Sequence, residues 1–115
     1  MVKFICNAFS FNMVSLRPFS VNVRPVPLHT AIALAQGVPS AVGHCSTAAV
    51  FQTTLGTPVA EARVNVALVP GDSVLVGQYQ GPRLPEGATT LPEGATIAWL
   101  LVDITESIAD MVGIA

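Results

Sequence analysis

A chain of 115 residues with a net charge of −2 and 10 % charged side chains is long enough for one compact domain and too poor in cations to track DNA or long RNA. Its five cations are Lys3, Arg17, Arg24, Arg63 and Arg83, and two or three of them suffice to hold a small anionic ligand. Hydrophobic residues reach 51 %, which points to a thermally undemanding setting or, as the preferred reading, to a surface covered in an oligomer.

Val2 to Cys6 is a short apolar run and reads as a buried strand. Asn7, Ser10 and Asn12 then place turn-forming side chains among Phe9, Phe11 and Met13. Ser20 to Val26 alternates as a second strand, stopped by Pro25 and Pro27. Pro27 presets the first helical φ for a short helix over Leu28–Gln36, and Gly37 accepts the left-handed stop. A second helix is expected from Cys45, Ser46 or Thr47 to Gly56, with Ser46 as its cap and Ala48, Phe51 and Leu55 on its packing face.

Ala62 to Val69 gives the clearest alternation and predicts a strand, with Val64, Val66 and Leu68 on one face. Pro70-Gly71-Asp72 predicts a turn, and Ser73 to Tyr79 its antiparallel return. Gln80 to Thr96 is a loop containing an echo, Leu84-Pro85-Glu86-Gly87-Ala88-Thr89 followed by Leu91-Pro92-Glu93-Gly94-Ala95-Thr96. Ile97 to Ile104 is a last strand, and residues 105–115 a weak helix or loose tail. The sum is an α+β chain: one domain over 1–115, a mixed and mostly antiparallel sheet flanked by short helices.

Met1 to Phe11 has no long apolar run with a cleavage site, and Ile97 to Val102 is far too short to span a bilayer. No membrane partner is expected. Cys6 and Cys45 form no motif and read as reduced thiols of a cytoplasmic protein.

Few residues carry chemistry. His29 sits inside an ordinary amphipathic helix and reads as a surface residue. His44 follows Gly43 where a helix should begin, and free amides at a helix start attract phosphate. A histidine there can exchange a proton with a bound phosphate ester, or it can simply serve the cap. The two histidines and two cysteines have none of the usual ligand spacings, so no metal or other cofactor is expected. Cys45 beside His44 is a poor nucleophile pair, because adjacent side chains rarely face each other.

Three blocks change the weighting. Asn7-Ala8-Phe9-Ser10-Phe11-Asn12-Met13, then Ala41-Val42-Gly43-His44-Cys45-Ser46-Thr47, then Arg63-Val64 with Gly71-Asp72 and Arg83-Leu84-Pro85-Glu86-Gly87 resemble, in order, the blocks of the viral ring nucleases, a type III anti-CRISPR family. The resemblance spans the chain from about Lys3 to Ile104. It implies a small homodimer that binds cyclic tetra-adenylate and cuts it, without metal, into short linear adenylates. It matches His44 to the family's catalytic histidine, and Arg83, Glu86 and Arg63 to positions that complete the site. Ser10 and Asn12 match ligand-contacting positions, and Asn7 matches one that binds or shapes the turn. Cys45 departs from the acidic residue often found after the histidine.

Under this reading His44 is the general acid toward the leaving 5′-oxygen, Arg83 holds the phosphate, and Glu86 orients Arg83 or His44. The echo makes Glu93 a second claimant to the role of Glu86, and Glu86 is preferred because Arg83 stands three residues before it. The alternative is a protein that sequesters the cyclic nucleotide without cutting it.

Overall fold

The computed structural model describes residues 2–15 and 18–107; Arg17 and residues 108–115 lie outside them. Four strands form one sheet in the order β1-β3-β4-β2: β1 is Val2–Cys6, β2 Phe19–Pro25, β3 Ser73–Gln80 and β4 Thr96–Glu106. β1 runs parallel to β3, while β3/β4 and β4/β2 are antiparallel. Two helices, α1 (Leu28–Ala35) and α2 (Cys45–Leu55), complete an α+β domain.

Alternation along β3 divides the interior. Leu75 joins the helix side with Ile5, Ala31, Ala35, Val42, Ala48, Phe51, Leu55 and Trp99. Val74 and Val76 turn to the opposite face, with Cys6, Val14, Leu68, Val102 and Ile104. Gly77 lies where Phe51 and Trp99 meet edge to face at 5.0 Å, and a Cβ there would stand 2.5 Å from the Phe51 ring. The glycine lets α2 settle onto the sheet.

Both helices start and stop near where the sequence places them. Pro27 is the residue before the first helical turn of α1 rather than its first member, and its carbonyl accepts from Thr30 and Ala31. α2 stops at Gly56, whose φ of 68° is the left-handed stop expected of it. Its cap is His44, not Ser46: Ser46 already lies inside the first turn, where its hydroxyl cannot reach back to the free amides.

The strand expected over Ala62–Val69 is absent. That stretch is extended, but its ends are tied to different partners, Glu61 bridging to Val42 and Leu68 to Val14. It crosses from the helix side to the opposite face and lies alongside no strand. Leu68 is fully buried there while Val64 is 49 % exposed, so the alternation is only half used. Ser73–Gln80 therefore has different neighbours from the one expected, pairing with β1 and β4. The Pro70-Gly71-Asp72 turn is real: Asp72 accepts from the Val69 amide at 2.9 Å and pairs with Lys3 at 3.3 Å. It connects a crossing segment to a central strand instead of closing a hairpin. Thr105 and Glu106 extend β4, so the proposed tail does not begin at 105; its remainder falls largely outside the described residues.

The parallel pairing of β1 with β3 positions the site. Both strands deliver their carboxyl ends to one edge, where Asn7 and Tyr79 stand, and the start of α2 arrives at the same place.

Candidate functional site

The cap of α2 is the centre of the arrangement. His44 has extended backbone angles, and its Nδ1 accepts from the Thr47 amide at 3.4 Å. Ser, Thr, Asp and Asn normally fill this role with a side-chain oxygen; here an imidazole nitrogen does so. With Nδ1 accepting, the proton of the neutral ring sits on Nε2. No protein group among the described residues bonds Nε2, which leaves it to a ligand.

Two clefts share this histidine. One, of about 540 Å³, is lined by Asn7, His44, Thr47, Tyr79, Gly81, Arg83 and Leu84. The other, of about 410 Å³, is lined by His44, Cys45, Ser46, Arg83, Leu84 and Glu86. Each is within the range of about 300–1,000 Å³ typical of small-molecule sites. An apolar cleft of about 480 Å³ lies away from them, between α1 and the second turn of the echo, and carries no ionisable side chain.

Arg83 lines both clefts and Glu86 the smaller one; both are exposed and form no ion pair with each other. An arginine fork with a donor imidazole beside it suits a phosphodiester: the fork grips the non-bridging oxygens, and the imidazole reaches a bridging one. Free amides at the start of α2 add partial positive charge on the same side.

The echoed loop explains why one glutamate belongs and the other does not. Each copy folds into the same turn, with Ala88 donating to Pro85 and Ala95 donating to Pro92, both at 3.1 Å. Gly87 and Gly94 take φ of 82° and 81°. The first turn docks on α2, where the buried Ser46 hydroxyl donates to the Pro85 carbonyl at 3.4 Å. Glu86, next to that contact, lines the smaller cleft with His44. The second turn sits against the apolar cleft through Leu91 and Ala95, and Glu93 lines neither His44 cleft.

The other expected residues divide. Asn7 lines the larger cleft. Ser10 and Asn12 lie on the 3-10 turn Phe11–Met13, where the Ser10 hydroxyl accepts from the Asn12 amide, and both are exposed outside the lining of either cleft. Arg63 is also outside the lining. Its Nε donates to the Gly43 carbonyl at 3.1 Å, and its Cγ lies 3.3 Å from where a Gly43 Cβ would be. It braces the backbone that presents His44.

Thr47 and Tyr79 were not singled out in the sequence. The sequence pattern places Thr47 only at a helix start and Tyr79 only in a strand. A signal for Tyr79 is present: an aromatic next to a strand end, two residues before Gly81-Pro82. Its hydroxyl donates to the Pro82 carbonyl, fixing the ring. Gly81 permits the close passage, since a Cβ there would meet Ala95 at 2.6 Å and the tyrosine hydroxyl at 3.1 Å.

Both cysteines are free; Cys6 is buried and Cys45 exposed. Burial pushes the Cys6 thiol up to about 11. Among the described residues no three His, Cys, Asp or Glu side chains gather as metal ligands would, and no helix is long and apolar enough to cross a membrane.

A search of curated proteins finds no match to this chain. Among solved structures it is similar to B116 of Sulfolobus turreted icosahedral virus, with a TM-score of 0.73 and 27 % identity over 89 % of this chain and 98 % of that one. The family model for STIV B116-like proteins matches residues 3–96, which include every candidate site residue named above. The chain belongs to the STIV B116-like family, which is named for a viral protein of this fold.

Proposed function

We propose that this protein is a ring nuclease that cleaves cyclic tetra-adenylate without metal and so switches off type III CRISPR signalling. The observation that carries the reading is the convergence of His44, Arg83 and Glu86 on adjoining clefts at the start of α2. His44 is distant in sequence from Arg83 and Glu86, and the three are the ones the motif resemblance assigns to catalysis.

An RNA phosphodiester holds its own nucleophile. The 2′-hydroxyl oxygen attacks phosphorus, its proton passes to water, and the bond from phosphorus to the 5′-oxygen breaks. The protein must place the linkage in line, offset charge on the phosphoryl oxygens and protonate the departing oxygen. Arg83 serves the second need and His44 Nε2 the third, which contributes about a hundred- to ten-thousand-fold. Glu86 holds the arginine fork or the ring in place once the ligand draws them together. The products carry a 2′,3′-cyclic phosphate and a 5′-hydroxyl.

Asn7 binds sugar or phosphate oxygens within the cleft. Ser10 and Asn12 act from the neighbouring turn. Arg63 serves by steadying Gly43 and hence His44. A homodimer would set two copies of His44 against opposite linkages of a four-membered ring that shares its two-fold axis. The sheet face opposite the helices offers a surface for this: an apolar cleft of about 300 Å³ lined by Asn7, Phe9, Val23, Val76, Leu100 and Val102 adjoins the candidate site through Asn7.

The test is incubation with cyclic tetra-adenylate, with and without chelator, followed by chromatography, beside a direct binding titration. Chelator-insensitive conversion that is lost in His44→Ala supports the reading. Tight binding with an intact ring in the wild type would make the protein a sequestering binder instead. No binding by the wild type would overturn both.

A further inference from the structure

We propose that Thr47 is a positioning residue that keeps His44 anchored in both of its protonation states, so that a proton leaves from Nε2 without the ring turning. This deepens the ring nuclease reading and rests on it.

A histidine used as a helix cap faces a difficulty that a serine cap does not. While Nδ1 is bare it accepts the Thr47 amide proton at 3.4 Å. When the ring carries a second proton, Nδ1–H points at that amide, donor against donor, and the cap bond is lost. Without another partner the imidazolium would swing out of the cleft just when it must donate. The structure supplies that partner. The Thr47 hydroxyl oxygen stands 3.4 Å from the same nitrogen. A hydroxyl can donate or accept, so it receives Nδ1–H when the amide cannot be used.

The proton balance follows. The imidazolium holds protons on both nitrogens, with Nδ1–H donating to Thr47 Oγ1. Nε2–H passes to the departing 5′-oxygen as its bond to phosphorus breaks. The neutral ring then carries its proton on Nδ1, still donating to Oγ1. Water then delivers a proton to Nε2 and takes the one on Nδ1, which returns the free protein to the neutral form whose Nδ1 accepts from the amide; a proton taken up from water at Nδ1 re-forms the imidazolium for the next turnover. At each stage one atom of Thr47 holds Nδ1.

Three placements make this specific. Thr47 is the third residue of α2, so its amide and hydroxyl both face back to the cap. It lines the cleft that holds His44, Arg83 and Tyr79. Gly43, the residue before the histidine, is braced by Arg63, so the backbone does not relieve the conflict by moving.

The experiment compares full-length wild type, Thr47→Val and Thr47→Ser. Single-turnover cleavage of cyclic tetra-adenylate, the ligand's dissociation constant, and the nitrogen NMR signals of His44 are measured on each. Valine keeps the shape and the amide but removes the acceptor. The expected result is a cleavage rate about ten- to a hundredfold lower in Thr47→Val, the size of one hydrogen bond to a charged group. Ligand affinity stays within about twofold, and Thr47→Ser recovers most of the rate. In free wild type the neutral ring shows its proton on Nε2. Wild-type cleavage by Thr47→Val, or a neutral free ring with its proton on Nδ1, overturns the proposal. A wild type that leaves the ring uncut overturns the functional reading and, with it, the proton cycle, while the NMR signals still report whether Thr47 holds Nδ1. A Thr47→Val protein with altered circular dichroism transfers the decision to Thr47→Ser, where a rate below that of wild type by more than tenfold counts against the proposal.

Discussion

Gly77→Ala links the packing of α2 to the site it carries. An alanine Cβ would lie 2.5 and 2.8 Å from two carbons of the Phe51 ring and 2.6 Å from the Trp99 ring. Comfortable carbon contacts are about 3.5–4.0 Å, so the two rings must retreat by roughly 1 Å. Both rings are buried, Phe51 at 0 % and Trp99 at 5 % exposed, and of the two only Trp99 borders a cleft. Overpacking of this kind costs about 1–3 kcal/mol, and two displaced rings place it at the upper end. The loss of backbone freedom in the unfolded chain returns about 0.4–1 kcal/mol. The net expectation is a loss of about 2 kcal/mol, which lowers Tm by roughly 8 °C for a domain of this size. Calorimetry and urea titration read it directly. Because Phe51 lies on α2, cleavage should fall together with stability, and Phe51→Leu added to Gly77→Ala should restore part of both. A Tm equal to or above that of the wild type would refute the claim that the glycine is needed to seat α2.

Three further outcomes are expected. Glu86→Gln lowers cleavage at least tenfold while Glu93→Gln leaves it unchanged, as steady-state rates on the two variants would show; equal losses would mean the first turn is not the one at the site. Tyr79→Leu weakens binding of cyclic tetra-adenylate by about ten- to a hundredfold if the fixed ring stacks on a base, and Tyr79→Phe by far less, both read by calorimetric titration. Cys6 is a pH probe: its thiol is raised from 9.0 to about 11 in the folded protein. The folded state therefore holds a proton that the unfolded state gives up, and stability falls as pH rises from about 9 to about 11. That alkaline slope should flatten in Cys6→Ala, and iodoacetamide should modify exposed Cys45 far faster than Cys6.

Local chemistry made the helices legible. Pro27, Gly37 and Gly56 each act through a backbone angle that needs no distant partner, and both helices fall within a residue or two of their expected bounds. Strand partners were not legible in the same way. Val64, Val66 and Leu68 alternate as a strand would, but a period of two reports only a half-buried extended chain. Whether a neighbour lies alongside is decided by Glu61 and Leu68 bridging to different segments. The same limit gave Ser73–Gln80 the wrong partner, since the parallel pairing with β1 depends on a crossover no local pattern shows.

For the site, motif order singled out His44, Arg83 and Glu86, and these line the two clefts. The spacing of Arg83 favours Glu86 over Glu93 in the sequence, but the two turns share one geometry, and it is the Ser46 contact to Pro85 that separates the copies in the structure. A capping role for His44 is one of the two readings its position at a helix start allows, and the structure shows its Nδ1 filling it. Thr47 acquires significance only once the cap is known.

The proposed cleavage depends most on a single proton donor, His44, at the start of α2. Mass spectrometry of the products formed from cyclic tetra-adenylate in the presence of chelator tests it most directly. The predicted result is linear adenylates ending in a 2′,3′-cyclic phosphate from the wild type and an intact ring from folded His44→Ala. The same linear products at the same rate from both proteins would contradict it.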